Sequence, residues 1–337
     1  MVNVRRTRRV AAALATIATV LAGCSGGSSD VPGDSGGNGA DTTLTVVAYA
    51  VPEPGWSKII PAFAATPEGE GVGVTTSYGA SGDQSRAVVD GKPADIVNFS
   101  VEPDITRLVK ADKVATDWNA DATKGIPFGS VVSLAVRPGN PKNIRDWPDL
   151  LKPGVEVITP SPLSSGSAKW NLLAPYAWAS KGGQDPQAGL DYVTELVTEH
   201  IKLRPASGRE ATDVFRQGSG DVLLAYENEA LNFDLEHVNP PETFKIENPV
   251  AVVTTSAHQD KATALKNFLF TPEGQKLWAE ANFRPVDPAV LAEVRDKFPE
   301  PAKLWTVDDL GGWSKLDPEL FDKDNGSITK IYMQATG

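Results

Sequence analysis

The stretch Ser161-Pro-Leu-Ser-Ser-Gly-Ser-Ala-Lys-Trp-Asn171 combines four serines and a glycine with no acidic residue. This composition predicts the start of a helix at its Ser-Gly-Ser. The first backbone N–H groups of a helix have no partner within the helix, and the macrodipole adds about half a positive charge there. Such a start can bind an anion. Serine also caps helices that bind nothing, so for the Ser-Gly pair alone capping is the favoured interpretation.

Short β-rich runs alternate with helical stretches along the rest of the chain. The expected strands lie at 44–49, 72–78, 94–98, 130–136, 155–159, 201–204, 221–226 and 250–254. Alternation of this kind predicts an α/β fold with mostly parallel sheets. Ligands of such sheets collect at the carboxyl ends of the strands, where the next helix begins.

Four of the strand-to-helix junctions carry small or hydroxyl residues, around Ala50, Ser81, Ser165 and Gly208. One such junction is ordinary in an α/β fold and requires no ligand. Four of them, with no histidine or cysteine nearby, favour backbone dipoles and hydroxyl groups that converge on an anion.

The N-terminus has the pattern of an exported lipoprotein. Four arginines between positions 5 and 9 precede an apolar run at 10–22, which is shorter than the roughly 20 apolar residues of a membrane span. Leu21-Ala22-Gly23-Cys24 resembles the lipobox of bacterial lipoproteins. The resemblance implies that residues 1–23 are a signal peptide and that Cys24 is lipidated. We therefore expect an extracytoplasmic protein that a lipid anchors to the cell membrane, without disulfides, because Cys24 is the only cysteine.

Residues 24–42 are expected to form the lipidated cysteine and a flexible tether, since they are rich in Gly, Ser and Asp and have no apolar period. The full chain has 32 basic and 43 acidic residues, a net charge of −11. Removal of residues 1–23 leaves 28 basic residues and a net charge of −15. Nucleic acid is not expected as a partner, because proteins that bind its phosphates carry basic patches.

The body of the chain, residues 43–337, contains a set of motifs that occur together. They are Gly79-Ala-Ser-Gly82, Arg137-Pro-Gly-Asn-Pro141, Ile158-Thr-Pro-Ser-Pro through Lys169-Trp-Asn171, Gly220-Asp-Val-Leu-Leu-Ala-Tyr-Glu-Asn-Glu-Ala230, Thr271-Pro-Glu-Gly-Gln275, Phe283-Arg-Pro285 and Gly311-Gly-Trp313. With these motifs the body resembles the periplasmic sulfate-binding proteins of ABC importers.

That resemblance implies a two-lobed type II periplasmic-binding-protein fold, with a mixed, mostly parallel sheet in each lobe and the ligand in the interlobe cleft. Lobe 1 would comprise residues 43–129 and 252–337, and lobe 2 residues 130–251. The crossings between the lobes would lie near Gly129-Ser130 and Val250-Ala251.

The resemblance also implies which groups hold the anion. Backbone N–H groups would provide most of the donors, and one serine hydroxyl and one aromatic side chain would provide the rest. The residues expected at the anion are Ala50, Ser81, Ser165, Gly166, Ser167, Gly208 and Tyr226. Tyr226 stands where relatives have a tryptophan, which can only donate, whereas a phenol can donate or accept. No cofactor, metal or catalytic residue is implied.

Sulfate suits a pocket of donors, because it is a full dianion at neutral pH and has only acceptors. Phosphate keeps a proton near pH 7, and an unmatched buried polar group costs about 1–3 kcal/mol. This selectivity requires Asp83 and Glu210 to point away from the anion. We expect a monomeric sulfate-binding lipoprotein that delivers sulfate to the permease and ATPase of an ABC importer. The same fold binding thiosulfate, molybdate or phosphate is the alternative.

An enzyme is the rival class, and the residues do not favour it. The three histidines have no metal-ligand spacing, and the body of the chain has no Gly-x-Ser-x-Gly motif. Ser165 and Lys169 lie one helical turn apart, as in a Ser–Lys nucleophile, but we expect Lys169 to face solvent. A lipoprotein that has lost its ligand is a third possibility, against which the intact Ser81-Gly82 and Ser165-Gly166 pairs argue.

Overall fold

The computed structural model describes residues 41–335, so the predicted signal peptide, Cys24 and nearly all of the tether lie outside the described residues. Its strands are β1 Thr42–Tyr49, β2 Val72–Gly79, β3 Ile96–Asn98, β4 Phe128–Val136, β5 Val157–Ile158, β6 Ile201–Leu203, β7 Val222–Tyr226, β8 His237–Val238, β9 Glu242–Asn248, β10 Val250–Val252, β11 Arg284–Pro285 and β12 Lys303–Trp305. All eight predicted strands are present, with ends shifted by up to two residues.

The α-helices follow strands at most of the predicted junctions. They are α1 Glu53–Ala64, α2 Ser81–Val89, α3 Glu102–Lys110, α4 Gly166–Ala179, α5 Pro186–Glu195, α6 Gly208–Arg216, α7 Glu227–Asn232, α8 Gln259–Phe268, α9 Pro272–Glu280, α10 Pro288–Glu293, α11 Trp313–Leu316 and α12 Ser327–Gln334. Among residues 41–335, no helix is both long and apolar enough to cross a membrane.

Two mixed sheets organise these elements. The first has the order β10-β3-β1-β2, in which β1 is parallel to β2 and β3 while β10 is antiparallel to β3. The second has the order β12-β9-β4-β7-β5-β6. Here β5 is parallel to β6 and β7, but β4 is antiparallel to β7, β8, β9 and β11. The α/β fold is confirmed, and parallel pairing predominates in the first sheet only.

Strand β4 lies at the centre of the second sheet and is buried along its whole length. Its sequence, Phe-Gly-Ser-Val-Val-Ser-Leu-Ala-Val, is nearly continuous in apolar residues, as expected for a strand that is covered on both faces. Its polar residue Ser133 is hydrogen-bonded, since Ser133 Oγ donates to Val238 O at 3.2 Å. The main apolar core extends from this strand into both sheets and includes Trp56, Trp147, Trp170 and Trp278.

The chain changes from the first sheet to the second between β3 and β4 and returns at Pro249, between β9 and β10. At this return, Asn98 Nδ2 and Phe99 N both donate to Pro249 O, at 2.9 and 3.0 Å. The lobe boundaries given above stay a prediction. What these contacts establish is that the carboxyl end of β3 lies beside the connection between the sheets.

Part of the C-terminal segment 252–337, which is predicted to belong to lobe 1, contacts the second sheet and its helices. Strand β12 pairs with β9 of the second sheet. The Trp313 ring lies against Trp170 of α4, with centroids 5.0 Å apart, and Lys169 Nζ is 2.6 Å from Asp317 Oδ1. The segment is held against α4 by the buried contact between Trp313 and Trp170 and by the ion pair between Lys169 and Asp317.

Candidate anion-binding site

The starts of α2, α4 and α6 lie close together between the two sheets. Gly82 N, in the first turn of α2, donates to Ser164 O, just before α4, at 2.9 Å. A Cβ atom built on Gly208, at the start of α6, would lie 3.0 Å from Ser167 Oγ and 3.3 Å from Val51 Cγ2. The structure therefore brings together three of the four predicted junctions and places the fourth, after β1, beside them.

Helix α4 begins as the opening sequence stretch predicts. Ser165 occupies the N-cap position in an extended conformation, yet its side chain makes no capping hydrogen bond. Ser165 and Ser167 are each 3% exposed, and the first turn contains no acidic residue. The simple capping interpretation is therefore wrong for Ser165, and its buried hydroxyl is left for another partner.

Helix α2 presents its backbone rather than its serine hydroxyl. Ser81 Oγ donates to Asp104 Oδ2 at 2.6 Å and accepts from Ser100 N at 2.9 Å. Asp104 is itself held by Arg107 Nη1 at 2.8 Å. The hydroxyl of Ser81 is thus engaged, and the group it can offer an anion is its N–H in the first helical turn, as predicted.

Helix α6 has a complete cap that leaves Gly208 at its first position. Ser207 Oγ accepts from Glu210 N at 3.2 Å, as an N-cap side chain does, and Glu210 Oε2 accepts from Ala206 N, one residue before the N-cap, at 2.8 Å. The Glu210 carboxylate is therefore turned back to the chain before the helix. Asp83, the other acid of concern, pairs with Arg86 and is half exposed.

Ala50 is the predicted donor whose N–H is already engaged in this structure. Its N–H donates to Gly79 O at 3.0 Å, which continues the pairing of β1 with β2 by one residue. The other predicted N–H donors, at Ser81, Gly166, Ser167 and Gly208, lie in first turns, where helices have no internal acceptor.

Tyr226 ends β7 and is fully buried. Its hydroxyl lies 2.7 Å from Ser100 Oγ, and either atom can be the donor. The side chains of Ser167 and Asn248 lie near this hydroxyl. Burial raises the pKa of Tyr226 far above its usual value, so the phenol stays protonated. The Tyr49 ring lies 6.4 Å away, centroid to centroid, and its buried hydroxyl has no hydrogen-bond partner among the described residues.

Ser100 and Tyr49 contact Tyr226, and neither was among the predicted site residues. Ser100 is the second residue after β3, and Tyr49 is the last residue of β1. The rule that predicted the four junctions, a small or hydroxyl residue at the carboxyl end of a strand, also applies to Ser100.

Arg209 brings a cationic side chain to the wall next to Gly208. Its Nε is 3.7 Å from Glu229 Oε1 and its Nη1 is 3.6 Å from Glu53 Oε2, both too long for hydrogen bonds. Nε and Nη2 are buried and make no hydrogen bond to the described residues. Burial raises the pKa of Glu229 to about 7, while the Arg209 charge and a hydrogen bond from Thr212 oppose that shift.

A cavity of about 310 Å³ opens at Ser165 and Gly166 and is also lined by Arg86, Arg107 and Lys169. Lys169 was expected to face solvent but is 9% exposed. Its Nζ is committed to Asp317, so the Ser–Lys arrangement of a nucleophile finds no support. Within residues 41–335 no group of three or more His, Cys, Asp or Glu side chains is arranged to hold a metal ion.

Two mixed α/β sheets with helix starts converging between them define a solute-binding protein. Residues 44–284 match the family of bacterial extracellular solute-binding proteins. The sulfate-binding protein SubI from Mycobacterium tuberculosis H37Rv has a solved structure that is 71% identical, with a TM-score of 0.82, over 83% of this chain and 100% of that one.

Two curated relatives extend the comparison. A sulfate-binding protein of Synechococcus elongatus is 40% identical over 99% of this chain and 98% of its own. A thiosulfate-binding protein of Pseudomonas aeruginosa is 33% identical over 86% and 92%. The chain belongs to the bacterial extracellular solute-binding protein family, in its sulfate-binding branch. This confirms the resemblance, the type II fold and a place outside the cytoplasm, in a family of binding proteins rather than enzymes.

Proposed function

We propose that this protein captures sulfate outside the cytoplasm and delivers it to an ABC importer. The observation that carries the proposal is the convergence of the α2, α4 and α6 starts, with Asp83 and Glu210 of their first turns engaged elsewhere. The names of the relatives, sulfate-binding in two of the three, support it. The proposed ligand groups are the N–H groups of Ser81, Gly166, Ser167 and Gly208 and the hydroxyl of Ser165.

Donors at these positions favour a fully ionised anion. Each helix start offers N–H groups and the positive end of a macrodipole, and the nearby hydroxyls can turn to donate. Hydrogen phosphate would place its own proton against a donor, at a cost of about 1–3 kcal/mol, which corresponds to about 5- to 150-fold weaker binding. Ala50 stays a predicted ligand, for which its hydrogen bond to Gly79 would have to be shared or exchanged.

The remaining parts of the proposal rest on the N-terminal sequence and the family. Cleavage before Cys24 and lipidation of its side chain would anchor the protein to the membrane. The tether would let the monomeric body, loaded with sulfate, reach the permease of the importer, whose ATPase drives transport. Mass spectrometry of the mature N-terminus tests this part, and an unmodified Cys24 would contradict it.

Thiosulfate is the second candidate ligand, because the Pseudomonas aeruginosa relative is named for it. Thiosulfate is also a dianion without a proton at neutral pH, so the same donors would suit it. One S–O bond is replaced by a longer S–S bond, and the pocket has to accept the larger atom. Sulfate and thiosulfate therefore require the same hydrogen-bond donors but pockets of different size.

Calorimetric titration of the protein without its signal peptide tests the function. With five heavy atoms and at most about 1.5 kcal/mol each, sulfate is expected to bind with about 7.5 kcal/mol, a Kd in the micromolar range. Charge-assisted hydrogen bonds can make it tighter. Thiosulfate, molybdate and phosphate are compared at the same pH. Phosphate binding as tight as sulfate binding would refute the selectivity, and tighter thiosulfate binding would reassign the ligand.

A further inference from the structure

Ser100 lies at the meeting point of four elements, and every polar group it has is engaged. Its N–H donates to Ser81 Oγ at 2.9 Å, at the start of α2. Its carbonyl accepts from Trp170 Nε1 of α4 at 2.8 Å and from Asn248 Nδ2 of β9 at 2.9 Å. Its hydroxyl is paired with Tyr226 at 2.7 Å. Ser100 is completely buried.

The side chain of Ser100 lies against the first residue of α4. A Cβ atom built on Gly166 would be 2.7 Å from Ser100 Cβ and 2.8 Å from Ser100 Oγ. The backbone of Ser100 meanwhile holds Ser81 at the start of α2. Two of the helix starts proposed to bind the anion therefore border this one serine, α2 through its backbone N–H and α4 through its side chain.

The hydroxyls of Ser100 and Tyr226 together have two protons, and the hydrogen bond between them uses one. If Tyr226 donates, the Ser100 O–H remains; if Ser100 donates, the Tyr226 O–H remains. Ser100 Oγ has no second hydrogen bond among the described residues, and the bond that joins it to Tyr226 can run in either direction. Asn248 lies near the Tyr226 hydroxyl, but its Oδ1 has no hydrogen-bond partner among the described residues and so accepts from neither hydroxyl. A buried O–H without an acceptor costs about as much as a lost hydrogen bond, so the second proton requires a partner.

We infer that Ser100 and Tyr226 act as a pair that presents one O–H donor to the bound oxyanion, and that either residue can supply it. The inference rests on the proposed function, because the acceptor is an oxygen of the anion held at α2 and α4. Ser100 thereby becomes a further residue of the binding site. Tyr226 contributes through the pair and not as a fixed donor of its own.

Interchangeable donors have a specific signature in mutagenesis. Ser100→Ala leaves the Tyr226 O–H free to donate, and Tyr226→Phe leaves the Ser100 O–H free. Each single variant is therefore expected to bind sulfate within about threefold of wild type. The double variant loses the donor altogether and is expected to bind about 10- to 150-fold more weakly, the range for a hydrogen bond to a charged group. The cycle is strongly non-additive.

Calorimetry with sulfate on the four proteins gives the cycle, and two matched variants control for loss of a buried hydroxyl. Tyr192 donates to Trp147 O at 2.6 Å and Ser133 to Val238 O at 3.2 Å, and neither residue is among those proposed to bind the anion. Tyr192→Phe and Ser133→Ala should leave sulfate affinity unchanged. A purely structural role of Ser100 and Tyr226 would instead make affinity follow the ligand-free melting temperature across all variants.

Each outcome decides the inference. Additive losses, or a single variant as weak as the double, mean that the two hydroxyls are not interchangeable, and the inference is wrong. A double variant that binds like wild type means that neither hydroxyl faces the anion. If the double variant does not fold, Ser100→Cys is combined with Tyr226→Phe instead. Cysteine nearly keeps the volume of the serine side chain but is a weaker donor. This combination must show the same non-additive loss of sulfate affinity. Failure of wild type to bind sulfate refutes the proposed function separately.

Discussion

Gly166→Ala tests whether the close contact between α4 and the end of β3 is needed for anion binding. The added Cβ would lie 2.7 Å from Ser100 Cβ and 3.2 Å from Val101 Cγ2, where ordinary contacts begin at 3.4 Å. The start of α4 would have to withdraw by about 0.7 Å from Ser100. Ser100 cannot yield easily, because it is buried and its backbone is hydrogen-bonded on both sides.

The expected loss of binding free energy follows from overpacking, which typically costs about 1–3 kcal/mol for an extra methyl group in a filled space. The unliganded protein can relieve the clash by separating α4 from β3. The anion requires donors from both sides at once, so the clash weakens binding. We expect sulfate Kd to rise about 5- to 150-fold, with the ligand-free melting temperature nearly unchanged.

Gly189→Ala is the matched control, since its Cβ would lie 2.6 Å from Tyr176 Cδ2 within the packing of α5 against α4. It should lower the melting temperature and leave sulfate affinity as in wild type. Calorimetry and thermal denaturation of both variants measure the two effects. Wild-type affinity in a folded Gly166→Ala protein would refute the reasoning, because α4 would then not need its approach to Ser100.

Three further changes probe other features. Ser165→Ala should weaken sulfate binding about 10- to 150-fold without lowering the melting temperature, and calorimetry showing equal affinity would remove its hydroxyl from the site. The folded pKa of Glu229, about 7, exceeds its ordinary 4.5, so this carboxyl makes stability fall as pH rises between those values; Glu229→Gln should flatten that slope in urea titrations. Arg284→Met removes the cationic partner of the buried Glu227 and should reduce the free energy of unfolding by about 3–5 kcal/mol. Lys58→Met, at an exposed ion pair, should reduce it by at most about 1 kcal/mol. Chemical denaturation measures both.

Local patterns predicted the strands and the helix starts because both depend on neighbouring residues. The run at 130–136 is apolar on both faces and became the buried centre of a sheet. The Ser-Ser-Gly-Ser at 164–167 predicted a helix start, and α4 begins within it, at Gly166. Strand β9 was missed although Phe244 and Ile246, both buried, alternate with Lys245 and Glu247, a period-2 signal that was present in the sequence.

Features that depend on distant pairing could not be read from the chain. The N–H of Ala50 is occupied because β1 and β2 align Tyr49 with Gly79, a register set by residues thirty positions apart. The Ser100–Tyr226 hydrogen bond joins residues 126 positions apart. Strand β12 pairs with β9, and Trp313 packs against Trp170; the residues around either tryptophan do not specify the other.

The strongly negative net charge of the chain does not prevent it from binding an anion, because the acidic residues near the site are each paired with another group. Asp83 is paired with Arg86, Asp104 with Arg107, and the Glu210 carboxylate accepts a backbone N–H. Exposed charges farther away are screened over about 8–10 Å at physiological salt. The helix N–H groups act at contact distance, in a buried region where screening is weak. Net charge therefore governs solubility and approach, while the affinity for the anion is set by which donors remain unpaired at the starts of α2, α4 and α6.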